Sequence, residues 1–465
     1  MSRELRPSWR AQLNRSKPTA WDLMETVSRG PLYDPVTNPN GLINLSGAVN
    51  NLMRDYLDQY CPLPYGPLPG TDGLREAFAR FFEHFFAPQQ KIQPDQIICG
   101  NGVTGLIDLV AYTICDPGDG ILFPAPNFYM FNYDVSTRAD VQAISVPCDG
   151  ITDQYSAQGS RELCARFQEY IEDARKRGVT VRALFVCNPS NPEGRCYSRS
   201  ALRIMSEFCS RVGVYLVVDE IYALSQFGCA TDAEAEFTSA LSILSSRNNI
   251  ILYSLSKDFG LGGLRLGAMV SRNAELIACM KKASFFTWVA TFSDLFVQRF
   301  LGDLAQVARY LRTYRALLSD AFRITTNALS RAEIPYHPST SGLFVFLNLS
   351  QYLELFKGVD GAPSMDFPSW TSHEHREESR EIQLCKYLVQ EASVFLNPGE
   401  FACSSEPGRF RLVFTDKDPD TVTLAISRLR SFRGLTTDKD ELEGRYSTGT
   451  VLKSKRESRG FLKVV

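Results

Sequence analysis

At 465 residues, 44% hydrophobic and 22% charged, the chain has an ordinary globular composition and the length for a large domain plus a smaller one. Its 50 Lys and Arg stand against 52 Asp and Glu, so no basic field exists to draw in nucleic acid or an anionic membrane. No apolar run of about 18 residues and no N-terminal apolar block is present, and a cytoplasmic protein with no membrane partner is expected.

Residues 1–29 make a polar arm with Arg3, Arg6, Arg10 and Arg15 against Glu4 alone. A frayed terminus is expected, with an organelle transit peptide as the other reading. From Gln93 onward, short apolar runs alternate with helical patterns. The runs are Gln96–Cys99, Ile121–Phe123, Val181–Cys187, Val214–Val218, Ile250–Tyr253 and Leu266–Ser271. This alternation predicts an α/β fold, a mainly parallel sheet covered by helices. The stretch from Ser350 to Glu381 carries Gly358, Gly361, Pro363 and Pro368 before the charged run Glu374–Arg380, which predicts a surface insertion that adds no core. After it, Leu396, the strand-like Arg409–Phe414 and a helix around Pro419–Phe432 make a second α/β unit, and residues 434–465 read as a tail.

The twelve cysteines form no C-x-x-C pair, and several lie in apolar runs, so reduced core thiols are expected. Only His373 and His375 lie close together among the four histidines, beside Glu374 in a charged stretch, and no metal site is expected there.

The strongest local signal runs from Tyr253-Ser254-Leu255-Ser256-Lys257 through Gly260 and Gly262-Gly263 to Arg265, at the end of a predicted strand. A lysine there is poised over a cleft. If Lys257 forms an imine with an aldehyde, Ser254 and Arg265 are suited to clamp a phosphate beside it; a surface lysine on a glycine turn is the plainer alternative. The run Val214–Val218 ends in Asp219-Glu220-Ile221-Tyr222. A buried Asp219 needs a positive partner, which a protonated pyridine nitrogen would supply, although a helix cap would use the same residue. Asn191, in Asn188-Pro189-Ser190-Asn191-Pro192-Glu193-Gly194, is placed either to meet a ring hydroxyl or in a plain turn.

Gly100-Asn101-Gly102-Val103-Thr104-Gly105 opens the helix Leu106–Ile114 and offers backbone N–H groups to a phosphate. The string also fits a dinucleotide fingerprint. The acid such a fold wants about 20 residues on is missing, since that region reads Phe123-Pro124-Ala125-Pro126-Asn127-Phe128. A single phosphate is preferred to a nicotinamide pyrophosphate. Phe128 is placed to lie on an aromatic cofactor or in the core.

The joint spacing of Asp219, Tyr222, Lys257 and Arg265 resembles the fold-type I pyridoxal-phosphate enzymes of the class I/II aminotransferase group. Within that group, Asn38-Pro39-Asn40-Gly41, Ser254-Leu255-Ser256-Lys257-Asp258, Gly342-Leu343-Phe344, Leu396-Asn397-Pro398-Gly399 and Glu406-Pro407-Gly408-Arg409-Phe410-Arg411 are most similar to 1-aminocyclopropane-1-carboxylate synthase and its relatives. The resemblance spans roughly residues 30–433 and implies a large domain with a mainly parallel seven-stranded sheet plus a smaller α/β domain. The implied partition is 30–75 for the smaller domain and a dimer interface, 76–319 for the cofactor domain, and 320–433 for the small domain with its insertion at 350–381.

It further implies pyridoxal 5′-phosphate on Lys257, with Asp219 at the pyridine nitrogen and Tyr222 and Asn191 at the ring oxygen. Phe128 would stack on the ring. Gly102, Val103, Thr104, Ser254 and Arg265 would hold the phosphate, and Tyr65 would reach the phosphate of a second subunit in a homodimer. Arg411 would clamp the α-carboxylate of a small amino-acid substrate, with Asn191 and the Ala48-Val49 stretch beside it. Two departures stand out. Ala48-Val49-Asn50-Asn51 lacks the glutamate of the synthases, and Phe128 replaces their usual tyrosine; both argue against cyclopropane formation from S-adenosylmethionine. Arg409 stands where tryptophan is common and suits either a second substrate anion or a solvated strand.

With these residues, the expected reaction removes the Cα proton and then eliminates or replaces a β or γ substituent, often across a C–S bond. Transfer of the amino group to a 2-oxo acid uses the same residues and is the alternative. A silent cofactor-binding homologue would be expected to have lost Lys257 or Asp219, and both are present.

Overall fold

The computed structural model describes residues 27, 30–46, 67–227, 236–244, 246–360 and 378–435. The strands, in chain order, are β1 (Ile43–Asn44), β2 (Ile97–Gly100), β3 (Gly120–Ala125), β4 (Gln142–Pro147), β5 (Val181–Cys187) and β6 (Tyr215–Asp219), then β7 (Asn249–Ser254), β8 (Gly267–Ser271), β9 (Phe344–Asn348), β10 (Val394–Phe395), β11 (Asn397–Pro398) and β12 (Arg409–Val413). The helices are α1 (Asp72–Phe85), α2 (Val103–Ile114), α3 (Phe131–Ser136), α4 (Ala157–Lys176), α5 (Arg199–Val212), α6 (Leu255–Asp258), α7 (Ala274–Ala283), α8 (Thr291–Gly302), α9 (Leu304–Arg331), α10 (Arg380–Tyr387) and α11 (Pro419–Leu435).

Seven strands form the main sheet in the order β2-β8-β7-β6-β5-β3-β4. All its pairings are parallel except those of β8, which runs against both β2 and β7. Successive strand residues point to opposite faces. Phe185, Val217, Ile250, Leu252 and Met269 pack with α2, α3 and α7 on one face; Leu184, Leu216, Val218, Tyr253 and Val270 join the larger core on the other. Both faces are covered, so the inner strands read as continuous apolar runs. Within this sheet β4 is the strand missing from the sequence reading, because it lies at the sheet edge and is half-exposed along most of its length.

A second sheet, β11-β12-β9, is antiparallel, and β1 pairs in parallel with β10. The segment before the main sheet is thereby tied to the C-terminal unit. The expected boundary at 319/320 falls inside α9, whose 28 residues run through both units. The flanks of the insertion also depart from expectation. Ser350–Leu355 is a 3-10 turn that buries Tyr352 and Leu353, Phe356 is buried after it, and Glu381 is buried at the start of α10. These ends are core, whereas residues 361–377, with His373 and His375, lie outside the described part. No described helix is long and apolar enough to cross a membrane.

Candidate active site

A cleft of about 340 Å³ opens at the C-terminal ends of β5, β6 and β7, the place where parallel sheets present ligand-binding residues. Val103, Thr104, Phe128, Asn191, Asp219, Tyr222, Lys257 and Arg265 all line it. The turn after β7 explains how Lys257 arrives there. Ser254, the last residue of β7, accepts the Ser256 N–H with its hydroxyl and starts the single turn α6. Asp258, one residue past the lysine, is fully buried and accepts from Leu224 N, Ser225 Oγ and Tyr253 Oη, which pins α6 against the core.

The electrostatics follow from burial. Asp219 is 4% exposed, and burial pushes its carboxyl up to about 7, against the pull of the Ile221 N–H at 3.1 Å and the Lys257 charge. Lys257 is brought down to about 8 by burial and then by the charges of Arg411 and Arg265, with Asp219 opposing. An amine near 8 is still mostly protonated at about pH 7.4, yet roughly a fifth of it is neutral, against about a thousandth of an ordinary lysine.

At the other end of the cleft, α2 begins at Gly102 with no capping side chain, so its first N–H groups face out. Arg265, in the left-handed conformation at φ +47°, donates to Asn101 O at 3.2 Å and Gly262 O at 3.0 Å, which sets its guanidinium beside that helix start. Gly102 is needed there: its φ is +96°, and a Cβ would lie 2.5 Å from Arg265 Nη2.

Arg411 lies just behind the cleft. It is 4% exposed and lines an adjoining cavity of about 10 Å³ with Asn127, Tyr129 and Asn397. Its Nη1 donates to Asn191 Oδ1 at 2.9 Å and its Nη2 to Ser46 O at 2.9 Å. Its Nε has no hydrogen-bond partner among the described residues. Asn191 in turn points its Nδ2 at Tyr222 Oη, 3.5 Å away.

Ser254 is fully buried and donates to Leu266 O at 2.9 Å, so it does not face the cleft; Ser256 does. Arg409 pairs with Glu406. Tyr65, Ala48 and Val49 lie outside the described residues. Ser256, Cys187 and Asp134 line the cleft without having been singled out. Ser256 sits inside the quoted motif, and Cys187 is the strand-end residue paired in register with Asp219. Asp134 reaches the cleft only through the packing of α3, and local sequence carries no sign of it.

The family profile for aminotransferase class I and II matches residues 62–429. The chain belongs to the class I and II aminotransferase family. Among its curated relatives, a 1-aminocyclopropane-1-carboxylate synthase from Nicotiana tabacum is 28% identical over 91% of this chain and 84% of the relative. Synthase 7 from Arabidopsis thaliana is 28% identical over 86% of this chain and 89% of its own length. Among solved structures, an aromatic aminotransferase from Pyrococcus horikoshii superposes with a TM-score of 0.66 at 17% identity, covering 91% of this chain and 100% of the other. Aspartate aminotransferase from Thermus thermophilus with maleate gives 0.65 at 19%, covering 92% and 97%. These two likenesses show the fold, which is fold-type I. A class I and II aminotransferase is a pyridoxal 5′-phosphate enzyme, and this member is a lyase or an aminotransferase.

Proposed function

We propose that this enzyme removes the Cα proton of a small amino acid and then expels or exchanges its β or γ substituent, C–S bonds included. The observation that supports Cα deprotonation is one cleft holding Lys257, Asp219, Arg265 and an uncapped helix start, with Arg411 one residue away through Asn191; the preference for elimination or replacement over amino-group transfer rests on the similarity to the synthases.

These residues fit the family's cofactor. Lys257 supplies the amine for its aldehyde, and Asp219 the buried carboxylate for a cationic ring nitrogen, a pairing that would relieve the desolvation raising that carboxyl. Tyr222 and Asn191 would meet the ring oxygen and Phe128 the ring face. Gly102, Val103, Thr104, Arg265 and Ser256 would hold the phosphate, with Ser254 supporting Ser256 from beneath. When bound, pyridoxal phosphate supplies an electron-withdrawing ring that stabilises negative charge at Cα.

Arg411 is placed to take the substrate carboxylate. It is buried, carries a free Nε and has no carboxylate partner among the described residues, so an incoming carboxylate gains a charge-assisted bond in a dry site. Holding that end fixes which bond at Cα is presented. The Lys257 amine, drawn toward neutrality, then accepts the Cα proton. Absence of the synthases' glutamate at Ala48-Val49 supports a substrate less cationic than a sulfonium.

We also infer a homodimer in which Tyr65 reaches across to the second subunit's phosphate. It is supported by the exposed rings of Phe285, Phe286 and Tyr112, with Arg138 over Phe286 at 5.3 Å, an apolar face suited to a partner.

The test is visible absorbance of the purified protein with single amino acids, alongside assays for 2-oxo acid, ammonia and thiol products. Lys257→Ala is expected to abolish the visible band. Thiol or ammonia release with the band retained through turnover supports the proposed reaction; one equivalent of 2-oxo acid with conversion of the cofactor to its amine form makes the enzyme an aminotransferase.

A further inference from the structure

Lys257 projects from α6, a single turn of four residues that is too short to hold its shape by its own backbone bonds. Its far end is anchored by Asp258, which is fully buried. Asp258 Oδ2 accepts from Leu224 N and Tyr253 Oη, each at 3.0 Å, and Oδ1 accepts from Ser225 Oγ at 2.5 Å. Burial pushes this carboxyl up to about 7, while those three donors and the Arg315 charge act to keep it ionised. Two of the donors come from the stretch after β6, where Ser225 N also donates to Tyr222 O at 3.0 Å. One carboxylate thus ties the turn that carries Lys257 to the turn that carries Tyr222.

The line of donors continues behind the cleft. Ser225 has one hydroxyl proton and gives it to Asp258, so its 2.7 Å contact with Tyr314 Oη is a donation from Tyr314. Tyr314 is fully buried on α9, and its neighbour Arg315 donates Nε to Leu224 O at 3.0 Å. From the segment before β9, Gly342 N donates to Ser225 O at 2.9 Å.

We propose that Ser225 and Tyr314 are positioning residues for Lys257: a hydroxyl chain from Tyr314 through Ser225 to Asp258 fixes the lysine's turn against that of Tyr222. This rests on the reading of Lys257 as the cofactor's lysine. Such a chain is cooperative, each hydroxyl polarising the next. Removing the Tyr314 hydroxyl weakens the bond from Ser225 to Asp258; removing the Ser225 hydroxyl takes one of the carboxylate's donors away and leaves Tyr314 without its acceptor. Either change loosens the placement of the amine, on which its reaction rate depends steeply. Neither touches Gly102 or Arg265 at the helix start.

The experiment mixes cofactor-free protein with increasing pyridoxal phosphate and follows the growth of the visible band, as the Lys257 amine replaces the aldehyde oxygen and that oxygen leaves as water. The limiting rate reports the placement of Lys257, and the half-saturating concentration reports docking at the helix start. Tyr314→Phe and Ser225→Ala are each expected to lower the limiting rate about threefold or more, with half-saturation within about twofold of wild type. The double variant is expected to be no slower than Ser225→Ala, since both changes break one chain. An unchanged limiting rate in the folded variants overturns the proposal. So does a double variant whose loss is the product of the two single losses, or a raised half-saturation with the rate intact. If Ser225→Ala does not fold, Tyr314→Phe, which removes a single oxygen, decides alone. A wild-type protein that gives no visible band overturns the cofactor reading as well, whereas a wild-type band with unmoved variants leaves that reading standing.

Discussion

Gly102 does two jobs in one position. Its φ of +96° starts α2 where a side chain would be strained, and the missing Cβ is what lets Arg265 Nη2 approach the helix start. Under the proposed function both features serve an anion, since α2 starts with no side chain in competition for its first N–H groups. Gly102→Ala is therefore expected to leave the fold intact and weaken cofactor binding by about tenfold or more, from strain of about 1–3 kcal/mol. A spectral titration of the cofactor-free variant with pyridoxal phosphate measures it. Arg411 makes the opposite point, for its worth depends on groups from β5's following loop and from the segment after β1. Its place in the Pro-Gly-Arg-Phe-Arg motif was legible, but its burial, its bond to Asn191 and its free Nε were not.

Among the elements, α10 is tied to the turn before β12 through Glu381. Glu381 accepts the N–H groups of Glu400 and Gly408, both at 2.6 Å, with burial pushing its carboxyl up to about 8. Gly408 begins the turn that leads into β12 and Arg411. Glu381→Ala would orphan two buried donors at once. A stability loss of about 2–4 kcal/mol is expected in chemical denaturation, with Glu381→Gln recovering part of it because an amide supplies one acceptor. Sequence gave no warning, since Glu381 closes a run of exposed-looking charges. The same limit explains β4. Apolar runs reveal strands covered on both faces, and an edge strand such as Gln142–Pro147 has polar and half-exposed positions that blur its period. What sequence did reveal was the set of strand ends. Asp219 and the Ser254–Lys257 turn each follow a doubly buried run, so their convergence was readable before any contact was known.

Taken as one molecule, the chain buries an unusual set of acids. Burial pushes Asp219 and Asp258 up to about 7, and Glu220 and Glu381 up to about 8. Unfolded, such carboxyls titrate near 4. Between these values the folded chain binds more protons than the unfolded one, so the slope of stability against pH is negative. Their contribution is complete below about pH 4 and is lost as pH rises through about 7 to 8. Lys257, lowered to about 8 from 10.5, acts in the opposite sense only above that window, where its stabilising effect grows with pH. The cofactor-free protein is therefore expected to be less stable at about pH 8 than at about pH 6, and Glu220→Gln to reduce the difference by on the order of 1 kcal/mol. Urea unfolding of both proteins at the two pH values measures it.

Asn191 belongs to both cavities. Its carbonyl oxygen is held by Arg411 and its amide nitrogen points at Tyr222, so one planar group bridges the small cavity behind and the large one in front. Its two ends cannot be turned separately. A carboxylate that draws Arg411 toward itself acts on the same amide that a ring oxygen meets on the far side. If the two sites are filled as proposed, their occupants are thermodynamically linked, and whatever factor one contributes to the other's affinity is returned in full.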